Sequence, residues 1–88
     1  MIKHQEAGAF LKKIRINAGV GQRELADALG FEYYTFMAVV ESGKAMLPSA
    51  HIQTLCRVCS VDASEVGKTL LMYYDPDLYI SIFVPCKK

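Results

Sequence analysis

The sequence predicts an all-α protein of five short helices, followed by a short C-terminal strand or extended arm. Between residues 6 and 73, apolar side chains recur at the three- and four-residue spacing of amphipathic helices, and glycine or proline separates the segments. After Pro76 the pattern changes to an alternation rich in β-branched and aromatic residues, which is typical of a strand. We therefore divide the chain into a helical domain, residues 1–76, and a strand-like arm, residues 77–88.

Length and composition limit the class of protein. The 88 residues allow one domain, with or without an arm, and 52% of them are apolar, which favours a homodimer that covers the excess. The formal net charge of +1 excludes a strong overall basic field, so any nucleic-acid contact must depend on local charge. Three cysteines, an odd number, without a signal peptide predict a cytoplasmic location. No apolar run approaches the roughly 18–20 residues that a membrane crossing needs.

The first predicted helix, residues 6–18, has its apolar side chains on one face. Lys12, Lys13 and Arg15 occupy the opposite face. We expect these three side chains in solvent; a nearby phosphate contact is the alternative.

Residues 21–43 predict two further helices joined by a tight turn. Gly30 ends the first of them, because glycine adopts the left-handed conformation that such a turn requires. Phe31 is expected to fill the corner. The next helix, residues 33–41, carries an apolar face that includes Met37 and Val40. A short helix, a glycine turn and a crossing second helix form a geometry that presents the second helix to a DNA major groove.

Several residues of this segment together resemble the Cro/repressor-type (XRE) helix-turn-helix family, and the resemblance covers about residues 10–71. They are Gln22, Leu25, Ala26, Gly30 and Phe31, followed by Glu41, Gly43 and Lys44. The resemblance implies a lambda-repressor-like five-helix domain that binds double-stranded DNA. Small single-domain members of this family are common in phages, mobile elements and toxin–antitoxin operons.

The resemblance also implies roles for residues at the start of the second helix. Gln22 would hydrogen-bond a DNA phosphate and brace the recognition helix, and the free N–H groups at a helix start favour an anion there. The alternative is an ordinary exposed residue. Arg23 would add positive charge, or pair with Asp27 one turn later. Glu41 is expected to brace the structure through the backbone or a basic residue.

The first residues of a recognition helix are those that reach base edges. Tyr33, Tyr34 and Thr35 hold these positions, and we expect Tyr34 and Thr35 to point outward, with Ala38 on the same face one turn later. The threonine methyl could meet a thymine methyl. The alternative places one tyrosine in the core and the other on the surface. The resemblance implies a phosphate contact for Lys44.

Two cysteines three residues apart occur in the fourth predicted helix, residues 50–59. A zinc site normally needs four ligands, and only His51 and the distant Cys86 could join Cys56 and Cys59. We therefore predict that the pair is buried as small apolar side chains, with no metal and no cofactor.

The fifth helix should begin at Asp62, because Glu65 follows three residues later as in a capping box. It should end at Asp75, which precedes a proline.

The predicted strand has no partner strand elsewhere in the chain. Unpaired strand edges are hazardous, so we expect the arm to pair with the same strand of a second copy. The dimerisation residues would be Leu78, Tyr79, Ile80, Ile82, Phe83 and Val84. The alternative is an extended arm packed on its own domain.

No catalytic constellation is evident, so the protein is not expected to be an enzyme. The first hypothesis is a sequence-specific transcriptional regulator, a dimeric repressor on an inverted-repeat operator that regulates its own expression. The second is a protein-binding module on the same fold, such as an antitoxin or an anti-defence inhibitor. The second is favoured by the low net charge and by an apolar third helix, where the family usually has Ser, Gln, Asn or Arg.

Overall fold

A computed structural model describes residues 4–84, and every regular element in this range is helical. The all-α prediction is therefore confirmed. The elements are α1 (His4–Asn17), α2 (Gln22–Leu29), α3 (Thr35–Glu41), a short 3-10 turn (Ser49–His51) continuous with α4 (Ile52–Cys59), α5 (Ala63–Tyr74) and α6 (Pro76–Phe83).

The first five helices enclose one apolar core. Helix α1 packs against α3 and α5, α2 packs against α3 and α4, and α4 packs against α5. The largest fully buried side chains come from all five helices: Leu11, Leu25, Met37, Val40, Leu55 and Leu70. Helix α6 packs on α5 and contributes no buried residue. The body formed by α1–α5 therefore holds α3 in place, while α6 lies outside the core.

Glycine allows α1 and α3 to approach until their backbones touch. A Cβ atom added at Gly8 would lie 2.4 Å from the carbonyl oxygen of Glu41 and 2.6 Å from that of Val40. No real side-chain carbon tolerates such distances. The last turn of α3 is therefore seated directly on α1.

Several predicted helix boundaries are found close to their expected places. Gly30 has φ +79°, the left-handed conformation expected after α2. The Asp62 carboxylate accepts a hydrogen bond from the Glu65 N–H at 3.1 Å and so caps α5. Helix α3 begins at Thr35, two residues later than predicted, and Tyr34 is its N-cap residue.

The predicted C-terminal strand is wrong, because residues 76–83 form α6. Asp75 caps this helix by accepting the Leu78 N–H at 3.1 Å, and Pro76 occupies the first turn, where its missing N–H and fixed φ suit a helix. A helix satisfies its backbone groups within the segment, whereas a lone strand leaves them unpaired. The prediction that this segment pairs as a strand with the same segment of a second copy is therefore also wrong. The rest of the predicted arm, residues 85–88, lies outside the described residues.

None of the helices in residues 4–84 combines the length and the apolar character that a membrane crossing requires.

Candidate nucleic-acid interface

The turn between α2 and α3 is built by backbone hydrogen bonds and aromatic packing. The Phe31 N–H donates to the Ala26 carbonyl at 3.0 Å, which closes the end of α2 around Gly30. The Phe31 ring meets the edges of Phe36 and His51 with centroids 4.8 Å apart in both pairs. Phe31 thus fills the corner as predicted, and it fixes the angle at which α3 leaves the turn.

Helix α3 has one buried face and one exposed face. Met37 and Val40 are fully buried against the neighbouring helices. The exposed side consists of Tyr33 and Tyr34 before the helix, Thr35, Ala38 and Val39 within it, and Ser42 after it. Tyr33 is 68% exposed and Tyr34 50% exposed, so neither tyrosine belongs to the core. The structure brings the predicted base-contacting residues together on one outward surface, which we call the α3 face.

A buried polar network fixes the end of α3 to α1 and α2. Arg15 Nε donates to Glu41 Oε2 at 2.6 Å, and Arg15 Nη2 donates to Glu41 Oε1 at 3.1 Å. Arg15 Nη1 donates to the Val20 carbonyl at 2.9 Å. Gln22 Nε2 donates to Glu41 Oε1 at 2.9 Å. Charge-assisted bonds of this kind are the strongest in proteins, and together they fix the orientation of α3.

The network tests three expectations from the sequence. Arg15 is 8% exposed, so the prediction that it lies in solvent with Lys12 and Lys13 is wrong. Its charge is buried because it pairs with the carboxylate of Glu41, which is also buried. Glu41 acts as the structural brace that the sequence predicted. Gln22 braces α3, as the resemblance implies, whereas its phosphate contact stays a prediction.

Positively charged side chains lie beside the α3 face. The Arg23 guanidinium carbon is 5.2 Å from the centroid of the Tyr34 ring, a cation–π contact between the first turn of α2 and the N-cap of α3. Lys44 is exposed just beyond the end of α3, and its N–H donates to the Val39 carbonyl at 3.1 Å. A positive side chain therefore lies next to each end of α3, the exposed Glu32 adds a negative charge before Tyr33, and no charged side chain lies on the α3 face itself.

A second exposed surface, which we call the α6 face, contains the residues predicted for dimerisation. Five of them are 44–58% exposed: Leu78, Ile80, Ile82, Phe83 and Val84. The sixth, Tyr79, is half-buried against Phe83, with ring centroids 5.2 Å apart. Beside this surface lies a groove of about 280 Å³, whose walls include Met46, Ile52, Leu71, Tyr74 and Leu78.

The two cysteines of α4 are free thiols and both are buried, as the sequence predicted. Burial raises the pKa of Cys56, and the neighbouring Cys59 adds to the increase. Burial likewise raises the pKa of Cys59. Protonated, buried thiols are poor nucleophiles and poor metal ligands. Among residues 4–84 no group of three or more ligand-type side chains is placed to hold a metal ion.

Two contributors to the site were not found from the sequence. Arg15 continues the buried spacing of Ala7 and Leu11 at intervals of four residues, a signal that it faces the core. Gly8 lies next to this stripe, where a small residue permits close helix packing.

No family model matches this sequence, and no curated protein matches it either. The likeness to Cro/repressor-type proteins therefore stays a prediction.

Proposed function

We propose that the protein is a sequence-specific DNA-binding transcriptional regulator with a lambda-repressor-like helix-turn-helix domain. The observation that carries the proposal is the arrangement of α3, which buries Met37 and Val40 in the core and leaves the α3 face exposed to solvent. Helix α2 holds it through a left-handed glycine turn, and the buried network of Arg15, Glu41 and Gln22 fixes its far end. A rigidly held exposed helix is what a major groove accommodates.

The contacts to the DNA backbone are assigned to Gln22, Arg23 and Lys44. Gln22 and Arg23 lie in the first turn of α2, where unpaired N–H groups favour phosphate. Lys44 follows the other end of α3. These residues set affinity and register, whereas side chains of the α3 face contact base edges. The resemblance adds the expectation of a repressor that binds the operator of its own gene.

Measuring the affinity of the protein for DNA at a series of salt concentrations tests this proposal. Fluorescence anisotropy on a duplex of the gene's own upstream DNA should show affinity that falls steeply with salt, by about 0.9 log unit per log unit of salt for each phosphate neutralised. Arg23→Ala should reduce that slope by about one phosphate. Arg57→Ala removes the same charge from the exposed last turn of α4, outside both the α3 face and the α6 face, and should leave the slope unchanged. Absence of binding to any duplex at low salt would reject the proposal.

The regulator is proposed to act as a two-fold dimer joined by the α6 faces. Residues 78–84 carry no charged side chain, and apolar side chains occupy more than one side of α6. Large apolar side chains on more than one side of a helix are normally covered, and the main packing partner of α6 within residues 4–84 is α5. The residues of the stripe are themselves uncharged, which suits a second copy of the same stripe across a two-fold axis, and Lys68 lies beside it with Nζ 5.0 Å from the centroid of the Phe83 ring. The adjacent groove offers space for a side chain of the partner.

The dimer predicts a spacing of the operator. Two α3 helices related by the two-fold axis would enter successive major grooves about 34 Å apart on an inverted repeat.

Light scattering on matched variants tests the dimer. Ile82 is 58% exposed on α6 and Ile16 is 55% exposed on α1, so glutamate at either position should be tolerated by the fold. The wild type and Ile16→Glu should have the mass of a dimer, and Ile82→Glu that of a monomer. A dimer that survives Ile82→Glu would contradict the role of α6.

The second candidate is a protein-binding module, such as an antitoxin or an anti-defence inhibitor. It is favoured by one observation: the α3 face is uncharged and partly apolar, with Val39 36% exposed. Such a face would bind a protein surface with little dependence on salt, and the Arg23→Ala change would have little effect on it. The salt series therefore separates the two candidates.

A further inference from the structure

The α3 face lacks every side chain that commonly forms paired hydrogen bonds with a base. Asn, Gln, Arg and Lys are the residues that make bidentate contacts with adenine or guanine, and none of them lies on this face. The carboxylate of α3, Glu41, is buried and already bonded to Arg15 and Gln22. The Ser42 hydroxyl donates to the Val39 carbonyl at 2.8 Å. On the α3 face, the hydroxyl groups of Tyr33, Tyr34 and Thr35 are therefore the main hydrogen-bonding groups for a base edge, and the nearest exposed carboxylate is that of Glu32, before Tyr33.

The same face carries a continuous stripe of methyl groups. Thr35, Ala38 and Val39 are all exposed, and their spacing of three and four residues places them side by side on one face of a helix. At a rise of 1.5 Å per residue, the stripe is about 6 Å long, which corresponds to roughly two base-pair steps of DNA. In the major groove, the apolar group that distinguishes one base from the others is the C5-methyl group of thymine.

We infer that α3 recognises DNA through apolar contact between the stripe of Thr35, Ala38 and Val39 and the methyl groups of adjacent thymines. This inference rests on the proposed function and specifies its ligand as thymine-containing half-sites. Arg23, stacked on Tyr34, anchors the neighbouring phosphate and brings the start of α3 to the groove. Base preference comes from the methyl groups, while charge supplies affinity without sequence preference.

Replacing thymine by uracil isolates this contact. Uracil keeps the phosphate charge and the base-pairing groups of thymine and lacks only the methyl group. A duplex of the gene's own upstream DNA is prepared with dT and, separately, with dU throughout. We expect the dU duplex to bind more weakly by roughly fourfold for each lost methyl contact, hence about 15-fold for two contacts. The salt slope should be the same for both duplexes, because the phosphate contacts are unchanged.

A matched pair of variants shows whether the effect arises at α3. Val39 and Val61 are both 36% exposed, and Val61 lies in the loop between α4 and α5, whereas the main packing partners of α3 are α1 and α2. Val39→Ala should bring the ratio of dT to dU affinity towards one. Val61→Ala should keep the ratio of the wild type. Circular dichroism checks that both variants keep the helical fold.

The outcomes separate this inference from the proposed function. Salt-dependent binding that is equally tight on dT and dU duplexes would overturn thymine recognition and leave DNA binding standing. A dT preference that Val39→Ala does not reduce, or that Val61→Ala reduces equally, would also overturn it, because the preference would then come from DNA shape. No binding to either duplex at low salt would reject the inference together with the proposed function and favour a protein partner.

Discussion

Removing the positive member of the buried pair should cost a large part of the protein's stability. Arg15→Met replaces the guanidinium by an apolar chain and deletes three hydrogen bonds, two to Glu41 and one to the Val20 carbonyl. The Glu41 side chain, 3% exposed, would then lose its charged partner and retain the hydrogen bond from Gln22. Breaking one side of such a pair costs about 3–5 kcal/mol, because the other charge is left buried and uncompensated.

That loss is large on the scale of a small domain. At 0.05–0.15 kcal/mol per residue, the free energy of unfolding of this chain is roughly 4–13 kcal/mol. Urea denaturation followed by circular dichroism measures the change, and an unchanged slope against urea shows that only stability has altered. Lys12→Met is the control, because Lys12 is exposed on the same helix and its replacement should change stability by less than about 0.5 kcal/mol.

The double variant Arg15→Met/Glu41→Leu tests the physical reason. It removes both charges, so no buried charge is left unpaired, and its stability should recover to within about 1–2 kcal/mol of the wild type. If Arg15→Met alone costs less than 1 kcal/mol, or if the double variant is as unstable as the sum of the two single variants, the pair does not hold α3 as argued.

Three further predictions follow from individual contacts. Gly8→Ala should destabilise the protein by about 1–3 kcal/mol, because the added carbon forces α1 away from α3. Gly67→Ala places the added carbon in open space on α5 and should stabilise the protein by up to about 1 kcal/mol. Equal effects of the two variants in urea denaturation would contradict the close contact between α1 and α3. Burial raises the pKa of Tyr74 above its usual value of 10.0, so the folded state holds this proton more tightly and the free energy of unfolding falls as pH rises beyond 10. Over the same pH range Tyr74→Phe should lose less of its free energy of unfolding than the wild type. An identical decline in the two proteins would refute the assignment of this pH dependence to Tyr74. Asp75→Ala removes the cap of α6 and should weaken the dimer, as measured by light scattering. Asp62→Ala removes an equivalent 3.1 Å cap from α5 and should instead lower the free energy of unfolding by about 1 kcal/mol, as measured by denaturation. If the two variants behave alike in both measurements, α6 does not serve dimerisation while α5 serves the fold.

Local signals were sufficient to predict the helical fold over residues 4–74. The left-handed conformation at Gly30 and the cap at Asp62 each depend on residues within one turn of the chain, so the sequence carries the information directly. The exposed and buried sides of α3 followed from apolar spacing in the same way, because Met37 and Val40 point inward by helical periodicity. That periodicity also places Thr35 and Ala38 on the outer side, whereas Tyr33 and Tyr34 precede the helix and are placed by the turn.

Two errors have different physical origins. Alternating β-branched residues indicated a strand at the C-terminus, but strand propensity is a weak preference that requires a partner edge, and Asp75 with Pro76 supplies a strong helix start. The burial of Arg15 depends on Glu41, 26 residues away in sequence. No local pattern identifies such a partner, so the network that fixes α3 became visible only once the helices were packed.

The most direct test of the central claim is an NMR titration of the ¹⁵N-labelled protein with a duplex of its own upstream DNA. The claim is that the outer side of α3 meets nucleic acid. It predicts that the largest shifts of the backbone amide signals occur at residues 33–39 and at Gln22 and Arg23, with α6 unaffected. Shifts confined to α6, or an unchanged spectrum at low salt with excess DNA, would contradict it.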